Sequence, residues 1–235
     1  MTGERRYLIV NADDLGRSSG INAGVYESHA RGIVTSASLM VRWPDAGEAA
    51  EWARTEPRVS VGLHLDLGEW LYEDNEWGVT YEVVPLDDAD AVEEEVRRQL
   101  EMFRDLTGRF PTHLDSHQHV HRAGPATFVA ENIATELGVP LRDRSPLVRH
   151  CGSFYGQTSD GRPLPEVISV ANLIDILSDL PPGVTELACH PGRDGTPPYA
   201  SERAREVAVL CDPRLRAFLA EERILLRSFH DVGSS

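Results

Sequence analysis

The chain has 235 residues, 41% hydrophobic and 26% charged, and its 23 basic against 38 acidic side chains leave a net charge of -15. Such a balance belongs to a soluble globular protein with enough length to bury a full core, and it sets the surface against nucleic-acid phosphates and anionic membranes as partners. No apolar run is long enough to span a bilayer or form a signal-peptide core, and Cys151, Cys189 and Cys211 show no CxxC spacing, so the expectation is a cytoplasmic protein with reduced thiols and no disulfide framework.

Strand-like and helix-like runs alternate along most of the length. The spacing predicts a strand over 7–11, a helix over 20–31, a strand over 36–41, a helix over 45–55 and a strand over 59–66. An irregular insertion over 68–85 follows, carrying Trp70, Tyr72, Trp77 and Tyr81. The clearest helix spans 87–106: Val92, Val96, Leu100, Phe103 and Leu106 recur at steps of four and three, Glu93 pairs with Arg97 and Glu94 with Arg98 on the wet face, and Gly108 closes it. The alternation resumes with a strand over 112–117, a helix over 125–137, a short strand over 140–144 and a loop rich in Gly, Ser and Pro. A helix over 166–178, a strand over 186–190, helices within 201–221 and a strand over 224–228 complete it. Repeated β-α units place the chain in the α/β class, with a parallel sheet and helices outside it. No GxGxxG or GxxxxGK[ST] follows the first strand, which removes support for an open nucleotide-binding sheet and favours an irregular, TIM-barrel-like (β/α) barrel as a single domain over 1–235.

Polar residues collect where these strands end. Asp13 and Asp14 follow the first apolar run in "LIVNADDLG", His64 lies in "VGLHLDL", and His190 lies in "ELACHPG". "THLDSHQHVH" supplies His113, Asp115, His117, His119 and His121. In a parallel barrel all those ends share one face. Taken alone, "NADDLG" reads as a strand-to-helix turn, and any one histidine in an apolar strand as a hydrogen-bonded core residue. Taken together, four strands would each have to end in buried ionisable groups, which are costly without a partner. A divalent cation removes that cost. One carboxylate with two imidazoles is an open ligand set, and a neighbouring cation lets both adjacent aspartates stay ionised, one to ligate and one to act as a base toward water. On an extended strand residues 113 to 121 in steps of two face one way, roughly 6.6 Å apart, so one or two of the five can reach one ion. Which of His117, His119 and His121 does so is left open by the residues alone.

The motifs "YLIVNADDLG", "GIVTSASLMV", "VGLHLDL", "HLDSHQHVH" and "ACHPG", in this order over residues 7–192, resemble those of the YdjC-like carbohydrate deacetylases, a family that includes chitooligosaccharide deacetylases. The resemblance implies a distorted (β/α) barrel, often a homodimer, that removes N-acetyl groups from acetylated amino sugars with a divalent metal. It implies Asp14, His64 and His117 as the metal ligands, Asp13 as general base and His190 as acid. The donor set suits magnesium or zinc among others. One departure is "HRAGP" after the His-rich motif, where relatives carry an apolar residue and proline; it bears on substrate preference. Arg142 in "PLRDR" and Tyr155 in "SFYGQ" are candidate substrate-binding residues, and Arg142 can instead pair with a site carboxylate and hold it ionised. The aromatic residues of the insertion can stack on sugar rings or simply pack the loop onto the barrel. Two other readings are an iron oxygenase on a two-histidine, one-carboxylate triad and a metal-stabilised sugar-binding protein without catalysis. The spare aspartate favours hydrolysis, because a binding site needs no base beside its ligand.

Overall fold

The structure, a computed structural model, describes residues 5–73, 76–158, 161–193 and 199–232. Its strands are β1 (Arg6–Leu15), β2 (Ser36–Leu39), β3 (Ser60–Leu65), β4 (Gly68–Glu73), β5 (Glu76–Glu82), β6 (Leu114–Ser116), β7 (Arg149–Cys151), β8 (Gly183–Cys189) and β9 (Ile224–Leu226). The helices are α1 (Ser19–Arg31), α2 (Ala46–Thr55), α3 (Ala89–Thr107), α4 (Gly124–Leu137), α5 (Val170–Ser178), α6 (Ala200–Leu210) and α7 (Pro213–Glu221). No helix among the described residues is long and apolar enough to cross a membrane.

One parallel sheet in the order β6-β3-β2-β1-β8-β7 carries the fold, with β1 at its centre. β1 is buried along nearly its whole length, which explains its unbroken apolar run: a strand covered on both faces does not alternate. The beginning of β1 pairs with β9 and its later part with β2, so the sheet splays around this strand and curls. Beneath β3 the chain after β9 closes one end of the sheet. There the Phe229 N–H donates to Ser60 Oγ at 3.0 Å, and the Phe229 ring stacks on His113 with centroids 3.8 Å apart. Among the described residues no ladder joins β7 to β6, so the expected barrel is observed as a curled, open one.

Helix limits follow local chemistry. Ser18 caps α1 by accepting from the Ile21 N–H, Asp88 caps α3 by accepting from Asp90 and Ala91, and Gly108 ends α3 at a left-handed φ of 73°. Val92, Val96 and Phe103 of α3 are buried as its periodicity requires, and Arg97 donates to Glu93. Arg98 turns to Glu95 rather than to Glu94.

Three expectations are corrected. The insertion is regular, a β4–β5 antiparallel hairpin. The strand expected over 140–144 reduces to a single bridge between Leu141 and Leu114, because Arg142 is drawn inward by carboxylates. The loop read after it contains β7, which pairs with β8.

Candidate active site

β1 continues through both aspartates to Leu15 and bulges there. Asp14 takes a left-handed φ of 64°, and the register against β2 slips between Ala12 and Leu15. Neighbours on a regular strand face opposite sides of the sheet; the left-handed residue breaks that alternation, and both carboxylates open on one cleft of about 830 Å³.

His64, near the end of β3, is held by β6. Its Nδ1 lies 2.8 Å from Asp115 Oδ1, which keeps the proton on that nitrogen and leaves Nε2 facing Asp14 Oδ1 at 3.4 Å. His117 places Nδ1 3.2 Å from the same Asp14 oxygen. Donor atoms of Asp14, His64 and His117 lie within 4.8 Å of one another, and all three residues are buried while lining the cleft. A second buried trio, Asp13, His64 and Asp115, is equally compact, but a cation already occupies it. The Arg142 guanidinium reaches Asp13 Oδ2 at 2.6 Å through Nη1, and Asp13 Oδ1, Asp115 Oδ2 and Glu186 Oε1 at 2.7, 2.7 and 2.6 Å through Nη2.

The electrostatics separate these groups. Burial raises the Asp13 carboxyl, but Arg142 outweighs it and holds the acid at about 2. Asp14 is held well below its usual range, with burial overcome by Arg203 and the two imidazoles. Burial pushes His64 down, yet Asp115 and Asp14 raise it to about 10; His117 is raised against burial by Asp14 and Glu69. Both imidazoles are thus drawn toward their charged forms, so the protein demands positive charge between these donors. A divalent ion fits: one carboxylate oxygen, an Nε2 whose other ring nitrogen is anchored, and a second imidazole converge beside open volume.

His190, just beyond β8, puts Nε2 3.8 Å from Asp13 Oδ2 and rests against the rings of Tyr155 and Tyr199. Its backbone N–H donates to Glu206, and burial pulls the imidazole down to about 4. Tyr155 is 37% exposed and lines the cleft beside His190. Arg142 does not fit the substrate-contact expectation: its side chain is buried behind Asp13, where three carboxylates occupy it.

The His-rich motif departs from its expected period. β6 stops at Ser116, and Gln118 and His119 take left-handed φ values of 48° and 55° in the turn that follows. His117 therefore joins Asp14, while His113 packs into the core against Phe229. His121 is buried between Ser116 and the Arg142 carbonyl, and His119 lines the cleft.

Several site residues escape a reading of the motifs. Arg203 of α6 donates to Asp14 Oδ2, and Arg17 donates to both Glu69 oxygens at 2.9 and 2.7 Å. Neither arginine has a local signal, since Arg17 reads as ordinary charge ahead of a helix and Arg203 as ordinary charge within one. Glu186 could have been found: it is a charged residue inside the apolar run "VTELAC". Burial raises it to about 7 despite Arg142.

A family model described as YdjC-like protein matches residues 7–221. The carbohydrate deacetylase of Geobacillus stearothermophilus is 36% identical over 249 residues, covering 96% of this chain and 98% of that one. The chitooligosaccharide deacetylase of Serratia marcescens is 34% identical over 267 residues, covering 97% and 99%. A solved structure from Enterococcus faecalis V583, of a protein assigned provisionally to cellobiose-phosphate cleavage, superposes with a TM-score of 0.79 at 25% identity over 97% of this chain and 98% of that one.

Proposed function

This chain belongs to the YdjC-like protein family, and we propose that it is a metal-dependent carbohydrate deacetylase, hydrolysing N-acetyl groups of acetylated amino sugars to acetate and free amine. The observation that carries this reading is the placing of Asp13, an ionised carboxylate, beside a three-donor set open to the same cleft. Asp14, His64 and His117 would hold a divalent ion, for which magnesium and zinc both suit the donors. Bound there, such an ion supplies Lewis acidity toward an amide carbonyl and lowers the pKa of water.

Every other task falls to side chains. Arg142 and the Asn11 amide, which donates to Asp13 Oδ1 at 2.9 Å, occupy one oxygen of Asp13 fully and leave capacity on Oδ2. Oδ2 is the atom that accepts a proton from attacking water. His190 Nε2, neutral at rest because it is buried, lies 3.8 Å from that oxygen. A proton passed to it can be delivered to the departing amine, which gives His190 the acid role in the second half of the reaction. Asp115 acts through His64 by fixing its tautomer, and Arg203 acts through Asp14 by holding its second oxygen. Tyr155 is placed to contact the sugar beside His190.

The test is acetate release from di-N-acetylchitobiose by protein stripped of metal and refilled with single divalent ions. Release that appears only on refilling supports the reading; none with any ion removes it.

A further inference from the structure

Glu69 is out of character for the element that carries it. The β4–β5 hairpin forms a two-stranded sheet of its own and β5 is exposed along most of its length, yet Glu69 is only 5% exposed and lines the cleft. The local cause is a register shift between Glu69 and Trp70, a bulge that re-aims the side chain. The backbone beside it is pinned by the Gln118 side chain, which accepts from the Trp70 N–H at 2.9 Å and donates to the Trp70 carbonyl at 2.8 Å. Two consecutive residues at the hairpin root, Glu69 and Trp70, thus meet two consecutive residues of the turn after β6, His117 and Gln118.

The two nitrogens of His117 keep different company. Nδ1 lies 3.2 Å from Asp14 Oδ1, on the side where the donors of Asp14 and His64 converge. Nε2 faces Arg17 Nη1 at 3.3 Å and Glu69 Oε1 at 3.7 Å. An imidazole that gives one nitrogen to an ion carries its hydrogen on the other, and that N–H needs an acceptor. A guanidinium has only donors, so Arg17 cannot supply one. Glu69 can, because Arg17 reaches its two oxygens at 2.9 and 2.7 Å through Nη2 alone, which leaves each oxygen a further lone pair. Arg17 is itself held in place, with its guanidinium over the Trp43 ring at 4.9 Å from the centroid. The arrangement mirrors the one at His64, where Asp115 faces Nδ1 and Nε2 is turned toward Asp14.

Resting on the reading of Asp14, His64 and His117 as ion donors, we propose that Glu69 is a positioning residue of the metal centre. It accepts the Nε2–H of His117, holds that ring with Nδ1 toward Asp14, and so ties the root of the β4–β5 hairpin to ion binding. Arg17 orients Glu69 and takes no part in holding the ion.

Calorimetric titration of zinc into ion-stripped, full-length protein tests this without requiring turnover. Glu69→Ala is expected to weaken zinc binding about 10–100-fold, the range for a lost partner of a ligating imidazole. Glu69→Gln, whose amide oxygen still accepts, recovers most of that loss. Arg17→Ala breaks the same ion pair but leaves the acceptor, so it weakens binding less than Glu69→Ala does. Histidine nitrogen NMR of the zinc-loaded wild type supplies a signature that a merely structural salt bridge would not produce: of the two zinc-shifted rings, one is protonated on Nδ1 and the other on Nε2. Both rings protonated on Nδ1, wild-type affinity in Glu69→Ala, or an equal loss in Arg17→Ala and Glu69→Ala overturns the proposal alone. No zinc binding by the wild type overturns it together with the metal-dependent reading on which it rests.

Discussion

The guanidinium of Arg142 takes both carboxylate oxygens of Asp13, at 2.6 and 2.7 Å, in the interior of the protein. The same cation serves Asp115 and Glu186, so one side chain ties together carboxylates from β1, β6 and β8. Arg142→Ala strands all three, and losing one partner of a buried ion pair costs about 3–5 kcal/mol. Urea unfolding is expected to shift by that amount. Arg142→Lys keeps the charge but not the planar fork, so it recovers part of the stability while leaving Asp13 poorly oriented and activity low. An Arg142→Ala protein that unfolds at the wild-type urea midpoint would contradict this placement.

Divalent ions are expected to raise the melting temperature of the wild-type protein in proportion to the logarithm of ion concentration above Kd. The increment is lost in Asp14→Ala and His64→Ala, which remove donors. In Asp115→Asn it shrinks rather than vanishes, because His64 stays but its tautomer is no longer fixed; such changes beside a metal typically weaken binding about 10–100-fold. Thermal-shift titrations of the four proteins distinguish these cases, and an equal increment in Asp14→Ala would place the ion elsewhere.

Glu206 gives a pH dependence of defined sign. Burial raises its carboxyl to about 8 against the N–H of His190 and the hydroxyl of Tyr199, which pull it down. The folded protein therefore keeps a proton that the unfolded chain releases above its ordinary value of 4.5. Stability from this group is complete below that value and declines as pH rises through about 8. Glu206→Gln, which resembles the neutral acid, is expected to flatten the decline. Melting temperatures of both proteins across that interval check it, and parallel curves would refute the assignment.

The packing of His113 predicts a stability effect remote from the chemistry. A Cβ placed on Gly62 would lie 2.5 Å from the His113 ring, and that ring cannot retreat because Phe229 stacks on its other side. Gly62→Ala is expected to destabilise by about 1–3 kcal/mol, the scale of overpacking in a core. Denaturant midpoints measure it, and a neutral outcome would mean that the His113–Phe229 stack is loose.

How much of this was legible follows from where each signal lies. A charged group or imidazole closing an apolar run is visible in the letters, and so the positions of Asp13, Asp14, His64 and His190 at the strand ends could be read. A period of two through "THLDSHQHVH" requires the strand to continue past Ser116. It stops there, where its partner β3 also ends, and Gln118 beyond it brackets Trp70, a partner 48 residues away that no local pattern announces. Arg142 was legible as a possible carboxylate partner but not as a buried one, since its three acids arrive from separate strands. Likewise the hairpin was visible as an aromatic-rich insertion, whereas the inward turn of Glu69 depends on a cross-strand register that only pairing reveals.

The central claim is that Asp13 acts as a base beside a metal held by Asp14, His64 and His117. Its most direct test is acetate release from di-N-acetylchitobiose by ion-loaded wild-type and Asp13→Asn proteins, with the ion-induced rise in melting temperature recorded on the same samples. The account predicts release by the wild type, a fall of about a hundred- to ten-thousand-fold in Asp13→Asn, and a melting increment that survives the substitution. Equal rates in the two proteins, or no acetate from the ion-loaded wild type, would contradict it.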